Sequence, residues 1–257
     1  IEFYKVFIYL LFLVSGYEAF SIKSFLKSVT PFYSIGSGFT SSYLVFFLLI
    51  PFINKLIGTL TRKEHGLLLL VCLGAYTFVP SILFGTVPMN YIGWFTIVYL
   101  IGAYIRLYPI PYGNDVKFWG IATAAMMILS WVSVAVLANV GILLNRTGLY
   151  YYEVADSNKF LAVALSVCAF QLFKNLKLGC IRWINTVAAS TFGVLMIHAN
   201  SDTMRQWLWK DVLNNVGVYE SDFIIVHAVG AVTGVFAICT VLDIARKAGV
   251  RLLRRSV

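Results

Sequence analysis

The fold class predicted is all-α: a polytopic transmembrane helical bundle of about eight helices, forming one domain over residues 1–257. Two observations predict it. The chain is 60% apolar and only 12% charged, with a mean hydropathy of +0.84. A soluble globular protein carries about 25% charged residues, because its surface must stay wet. The second observation is that basic residues alternate in density from one apolar stretch to the next, as they do across a membrane. Twenty Phe and fifteen Tyr beside six Pro also exclude a disordered or collagen-like chain.

A helix rising about 1.5 Å per residue needs about 20 apolar residues to cross a hydrocarbon core of about 30 Å. Eight stretches come close. The first, Phe3–Tyr17, is short. The second, Phe39–Ile57, holds Pro51, which should kink it and free a carbonyl for Asn54 or a neighbour. Gly66–Phe84, Tyr91–Tyr108 and Lys117–Gly141 follow, then the short Asn158–Phe173. The seventh, Trp183–Ala199, is lined by Ala188, Ala189, Ser190 and Gly193. The last, Asp222–Asp243, carries Gly230 and Gly234 at small-x-x-x-small spacing; such residues let helices approach closely. Between the last two spans, the loop 200–221 places Met204, Trp207, Leu208 and Val212 at i, i+3, i+4 and i+8. That spacing predicts a short helix lying in the membrane surface.

Charge sets the orientation. With the first helix starting in the cytoplasm, the inner side receives thirteen Lys and Arg, among them Arg62, Lys63, Arg106, Lys174, Lys177, Arg182 and the tail. The outer side receives six, with seven of the eleven acids. The reading is a multi-pass protein of the cell membrane with both ends cytoplasmic. The net charge of +9 then anchors helices beside lipid and implies no nucleic-acid partner. The four cysteines lie in or beside apolar stretches without C-x-x-C spacing, so no metal or redox site is expected. The chain opens at Ile1 with an apolar run and no Met, which reads as a sequence lacking its natural start.

Few polar groups are candidates for chemistry. His65 falls in a cytoplasmic loop and is expected to be solvated. His227 sits inside the last helix, where a lone His generally donates one hydrogen bond to a neighbour. His198 closes the seventh helix and is followed by Asn200, Asp202 and Arg205. If the helix ran on, Asp202 would lie one turn away and orient the ring as part of a general-base constellation. Alternatively Asn200 or Ser201 caps the next helix, with Asp202 in its first turn. Asp243 has Arg246 and Lys247 three and four residues on, the spacing of a surface ion pair. There is no G-x-S-x-G elbow and no phosphate-binding G-x-x-x-x-G-K-[ST].

Three strings carry a resemblance. Ser42–Ile57 resembles the Y-L-x-L-Y-L-x-x-P-F-L-N helix of the acyltransferase 3 family, and Tyr99–Tyr108 is similar to that family's Y-L-I-G-A-Y-I-R-L-Y. Ala189–His198, followed by Arg205 and Trp209, is similar to its S-T-F-G-V-Y-L-I-H helix end. The strings lie in the family's order, and the resemblance covers essentially the whole chain. Gly38-Phe39-Thr40 and Ala199 depart from the pattern at the outer face, which bears on the acceptor.

The resemblance implies a membrane enzyme moving an acyl group, commonly acetyl, from cytoplasmic acyl-CoA to a cell-surface or exported polysaccharide of a bacterial envelope. No cofactor is bound; acetyl-CoA or another acyl-CoA is the donor substrate, and a polysaccharide or lipid-linked glycan is the acceptor. Family members have around ten helices, so about two, with the family's His–Arg pair and R-x-x-R motif, are expected upstream of Ile1, and the fragment alone is expected to be inactive. Within the chain, His198 and Asp202 are the catalytic candidates. Asn200, Arg205 and Trp207 are candidates for binding acceptor hydroxyls and sugar faces. Arg62, Lys63, Arg106, Lys177 and Arg182 are candidates for the phosphates of CoA. The rival reading is a non-enzymatic transporter of a glycan or lipid-linked sugar, which a kinked helix and an aromatic outer mouth also suit. Donor dependence separates the two.

Overall fold

The computed structural model describes residues 2–33, Ile35, 38–81, 87–146 and 148–255. Those residues form helices and connections, with no strand among them. In chain order the helices are α1 (Glu2–Val14), α2 (Ile22–Val29), α3 (Phe39–Thr59) and α4 (Arg62–Leu73). They continue with α5 (Tyr91–Leu107), α6 (Val116–Leu143), α7 (Phe160–Asn175) and α8 (Arg182–Ala188). The chain closes with α9 (Thr191–His198), α10 (Asp202–Arg205) and α11 (Ile224–Arg255). After Leu73, α4 runs on through a π turn at Gly74–Phe78 and a last turn at Val79–Ser81; α10 likewise runs into a π turn at Gln206–Val212.

Each of the eight predicted stretches holds a helix, with ends that differ by a few residues from those expected; residues 82–84, at the end of the third, lie outside the described residues. Among the described residues, four helical segments are long and apolar enough to cross a membrane: Phe39–Thr59, Arg62–Ser81, Val116–Leu143 and Ile224–Arg254. Shorter apolar helices cover Phe3–Val14, Tyr91–Leu107 and Phe160–Asn175. The most apolar window of α6 buries no residue within the protein, and Ile121 is 72% exposed. Apolar side chains facing outward are what a hydrocarbon solvent favours, since lipid removes the drive to hide them.

The chain divides into two compact units, residues 34–177 and residues 1–33 with 178–257. In the first, α5 packs on both α3 and α4, while α6 packs on α7. Pro51 lies within α3, and three residues on Asn54 Oδ1 accepts the Tyr99 hydroxyl of α5 at 2.7 Å. Helix α4 starts at a reciprocal cap. Thr61 Oγ1 accepts from the Glu64 amide at 3.3 Å, and Glu64 returns its carboxylate to the Thr61 amide at 2.7 Å. That cap draws His65 into the first turn of α4, against α5. The ring is fully buried rather than solvated in a loop, and Nε2–H donates to the Leu100 carbonyl at 3.1 Å. Tyr104 and Tyr108 meet it edge-on.

The π turn of α4 is held by the segment before α7. Asn158 donates to the Tyr76 carbonyl at 2.8 Å, and the Tyr152 hydroxyl to the Pro80 carbonyl at 2.9 Å. Lys159, nearly buried, also donates to Pro80 and lies 3.6 Å over the Tyr152 ring. Backbone carbonyls loosened by the π geometry thus find donors.

In the second unit, α1 presents Tyr4, Ile8 and Phe12 on one face at four-residue spacing. They bury against Val194, Met196 and Ile197 of α9, Cys239 of α11 and Met204 of α10. The seventh predicted span is broken, with α8 ending at Ala188 and α9 starting at Thr191. Gly193 packs as predicted: a Cβ there would lie 2.4 Å from Asp243 Cγ of α11. Gly230 and Gly234 do not, for a Cβ at either meets nothing within 4 Å.

Candidate functional site

His198 ends α9, and its orientation comes from that helix. Its Nδ1 lies 2.7 Å from the Val194 carbonyl one turn back. A carbonyl only accepts, so Nδ1 carries the proton, and in the neutral ring the lone pair sits on Nε2. The ring is half-buried and meets Trp209 edge-on, with centroids 6.2 Å apart. The carbonyl of Val194 therefore fills the orienting role expected of Asp202.

Asp202 is turned elsewhere. The chain leaves the helical path after α9, and Ser201 caps α10, its Oγ accepting from the Met204 amide at 3.1 Å. Asp202 then occupies the first turn, where a carboxylate suits the helix dipole. It is 87% exposed and pairs with Arg205 at 3.4 Å, not with His198. Of the two readings of this segment, the cap is the one the chain adopts. Asn200 folds back to donate to the Met196 carbonyl at 3.2 Å. Trp207 is not an open platform, because its ring packs edge-on to Phe12 at 5.7 Å and lies against the apolar cluster. Trp209, two residues on, is the indole beside His198.

The cap has a measurable weight. Ser201→Ala is expected to lower stability by about 1 kcal/mol, the usual worth of an N-cap. A melting curve in detergent checks it, and Ser201→Asp should keep the wild-type value. A second tie holds the same segment: the Tyr17 hydroxyl donates to the Asp211 carboxylate. His227 donates to Asn215 Oδ1 at 2.9 Å, a hydrogen bond to the loop ahead of its own helix.

The five basic candidates lie at or beside helix ends. Arg62 and Lys63 are exposed at the start of α4, and Arg62 Nη2 donates to the Pro109 carbonyl at 2.9 Å. That bond brings it to the end of α5, where Arg106 sits in the last turn. Arg106 lines a cavity of about 670 Å³ between α3 and α5, walled by Tyr43, Phe46, Phe95 and Tyr99. Lys177 follows α7 and Arg182 opens α8, both exposed.

Spacing alone missed a buried polar group. Asp243 of α11 is 1% exposed, so it is no surface ion pair. Tyr4 of α1 and Gly193 of α9 close over it, the Tyr4 hydroxyl donating to Oδ1 at 2.7 Å. Arg246 donates to the same oxygen at 2.9 Å and to the Tyr4 hydroxyl at 2.9 Å. Lys247 Nζ lies 2.6 Å from Oδ2. A cavity of about 130 Å³ adjoins these groups. The i, i+3 and i+4 spacing of Asp243, Arg246 and Lys247 was a signal for the pairing; nothing nearby in sequence signals Tyr4.

Among the described residues, no group of three or more His, Cys, Asp or Glu is placed to hold a metal ion. No curated protein and no solved structure matches the chain. A family model described as an acyltransferase domain, that of acyltransferase 3, matches residues 2–244. With a helical bundle of apolar spans and a match over nearly its whole length, the chain belongs to the acyltransferase 3 family of membrane acyltransferases.

Proposed function

We propose that the protein moves an acetyl or other short acyl group from acyl-CoA to a hydroxyl of a cell-surface or exported polysaccharide. The basic ends of its helices face the cytoplasm, where the donor is. The observation that carries the reading is the tautomer of His198: with Nδ1–H held by Val194, Nε2 is a fixed proton acceptor. The acceptor hydroxyl gives its proton to Nε2 as its oxygen attacks the thioester carbonyl. The C–S bond then breaks, and the CoA thiolate leaves and takes up the proton. Trp209 beside the ring offers a face for a sugar, and the exposed Arg205 a donor to its hydroxyls. Within the unit of residues 34–177, the Arg106 guanidinium is the candidate for the phosphates of CoA.

The test is His198→Ala in the full-length protein, with acyl content of the glycan and consumption of acyl-CoA both measured. Removing a general base lowers rates by about 10²–10⁴-fold. The expected result is a loss of acylation of that order at unchanged abundance in the membrane. Wild-type acylation by the variant would remove His198 from the site. Glycan that changes location with no acyl-CoA consumed would mark a transporter.

A further inference from the structure

The two halves of the seventh span meet at Ala189 and Ser190, and a side chain from α11 fills the junction. Lys247 Nζ lies 2.7 Å from the Ala189 carbonyl, 3.2 Å from Ser190 Oγ and 2.6 Å from Asp243 Oδ2. The ammonium gives hydrogen bonds to the Ala189 carbonyl and Ser190 Oγ and pairs its charge with the Asp243 carboxylate. In an unbroken helix the Ala189 carbonyl would take the amide of Gly193, four residues on. At the break it takes a lysine.

From that junction a run of hydrogen bonds leads to the imidazole. Lys247 donates to Ser190 Oγ; the Val194 amide donates to the Ser190 carbonyl at 2.9 Å; His198 Nδ1 donates to the Val194 carbonyl at 2.7 Å. Helix α9 is eight residues long, and Val194, Met196 and Ile197 are buried in the apolar cluster. So short and well-packed a helix moves as one piece, and displacement at Ser190 displaces His198.

We infer that Lys247 is a positioning residue for acyl transfer, its ammonium holding the α8–α9 break so that His198 Nε2 faces the acceptor. The inference rests on the proposed role of His198. Without the ammonium, the Ala189 carbonyl lacks that donor, and the arrangement that restores one joins α8 to α9 as a continuous helix. Joining them turns His198 about the helix axis. Lys247 itself touches no substrate.

Four variants assayed in native membranes test this: Lys247→Met, Lys247→Arg, His198→Ala and the double variant Lys247→Met/His198→Ala. Lys247→Met is expected to lower kcat about tenfold or more, as misplacement of a reacting group does. Its KM for acyl-CoA should stay within about twofold, because a lost transition-state interaction leaves ground-state binding alone. Membrane abundance should be unchanged. Lys247→Arg, which keeps charge and donors, should recover most of the rate. The double variant should be no slower than His198→Ala, since both act through one group.

Three results would overturn the inference. One is full activity of Lys247→Met beside a slow His198→Ala, which leaves the role of His198 standing. Another is a fall in rate that merely tracks abundance and is not recovered by arginine. The third is a double variant slower than the wild type by the product of the two single effects. Full activity of His198→Ala fails the proposed role of the imidazole first, and is distinguished by that variant alone.

Discussion

Gly193→Ala is expected to unsettle the unit formed by residues 1–33 and 178–257 more than any other exchange of so few atoms. The added Cβ would lie 2.4 Å from both Cγ and Oδ1 of Asp243, and 2.8 Å from its Cβ. Those atoms cannot swing clear, since Tyr4, Arg246 and Lys247 all hold the carboxylate. Relief therefore requires α9 and α11 to move apart. Overpacking of this kind costs about 1–3 kcal/mol, and the hydrogen bonds loosened with it add to that. A clear fall in melting temperature in detergent, with lower abundance in the membrane, is the expected observation. Gly230→Ala and Gly234→Ala serve as controls on the neighbouring helix. A methyl at either position meets no atom within 4 Å, so melting should hold or rise slightly with the better helix former. A wild-type melting temperature for Gly193→Ala would mean that the approach of α9 to α11 does not stabilise the fold.

Asp243→Ala should be comparably harmful, for the opposite reason. It creates space and leaves charges behind. The carboxylate is the shared acceptor of a tyrosine hydroxyl, a guanidinium and an ammonium. Removing one member of a buried ion pair costs about 3–5 kcal/mol, because the other charge stays desolvated. Both cations here are 30% exposed and can turn towards water, so the low end of that range is expected. Tyr4→Phe removes two hydrogen bonds, one donated to Asp243 and one accepted from Arg246, and should cost about 1–2 kcal/mol. Thermal unfolding of the three proteins checks the order: wild type, then Tyr4→Phe, then Asp243→Ala. Equal stability of wild type and Asp243→Ala would show that the carboxylate is dispensable to the bundle.

Hydropathy made the helices legible because a membrane span is a composition signal, summed over about 20 residues and insensitive to any one of them. Breaks and burial depend on partners far along the chain, and there the reading faltered. Ala188, Ala189 and Ser190 contain no glycine or proline, and nothing local ends α8; Lys247, 58 residues on from Ala189, bonds the carbonyl at the break. Asp243 reads as a surface pair until Tyr4, 239 residues away, closes over it. His65 differs, for its signal was local. Thr61 and Glu64 spell a capping box, which places the helix start before the histidine and not after it. At the site, helical spacing permitted either a carboxylate or a cap after His198. Ser201 decides for the cap, and the histidine takes its partner from its own helix.

Lys247 also changes what the positive charge of this protein means to an anion at its surface. Formal charge counts side chains; attraction depends on how many of them still have hydrogens to give. Two of Lys247's are given to acceptors within the chain and its charge is paired with Asp243, while Arg246 and Arg62 also donate to groups of the chain. Asp243 further cancels one of the charges beside it. The electrostatic pull of a net +9 chain is thus weaker, and more local, than its sequence arithmetic suggests. Salt should accordingly weaken donor binding with a shallow dependence, that of a few cations and not of the whole basic inventory.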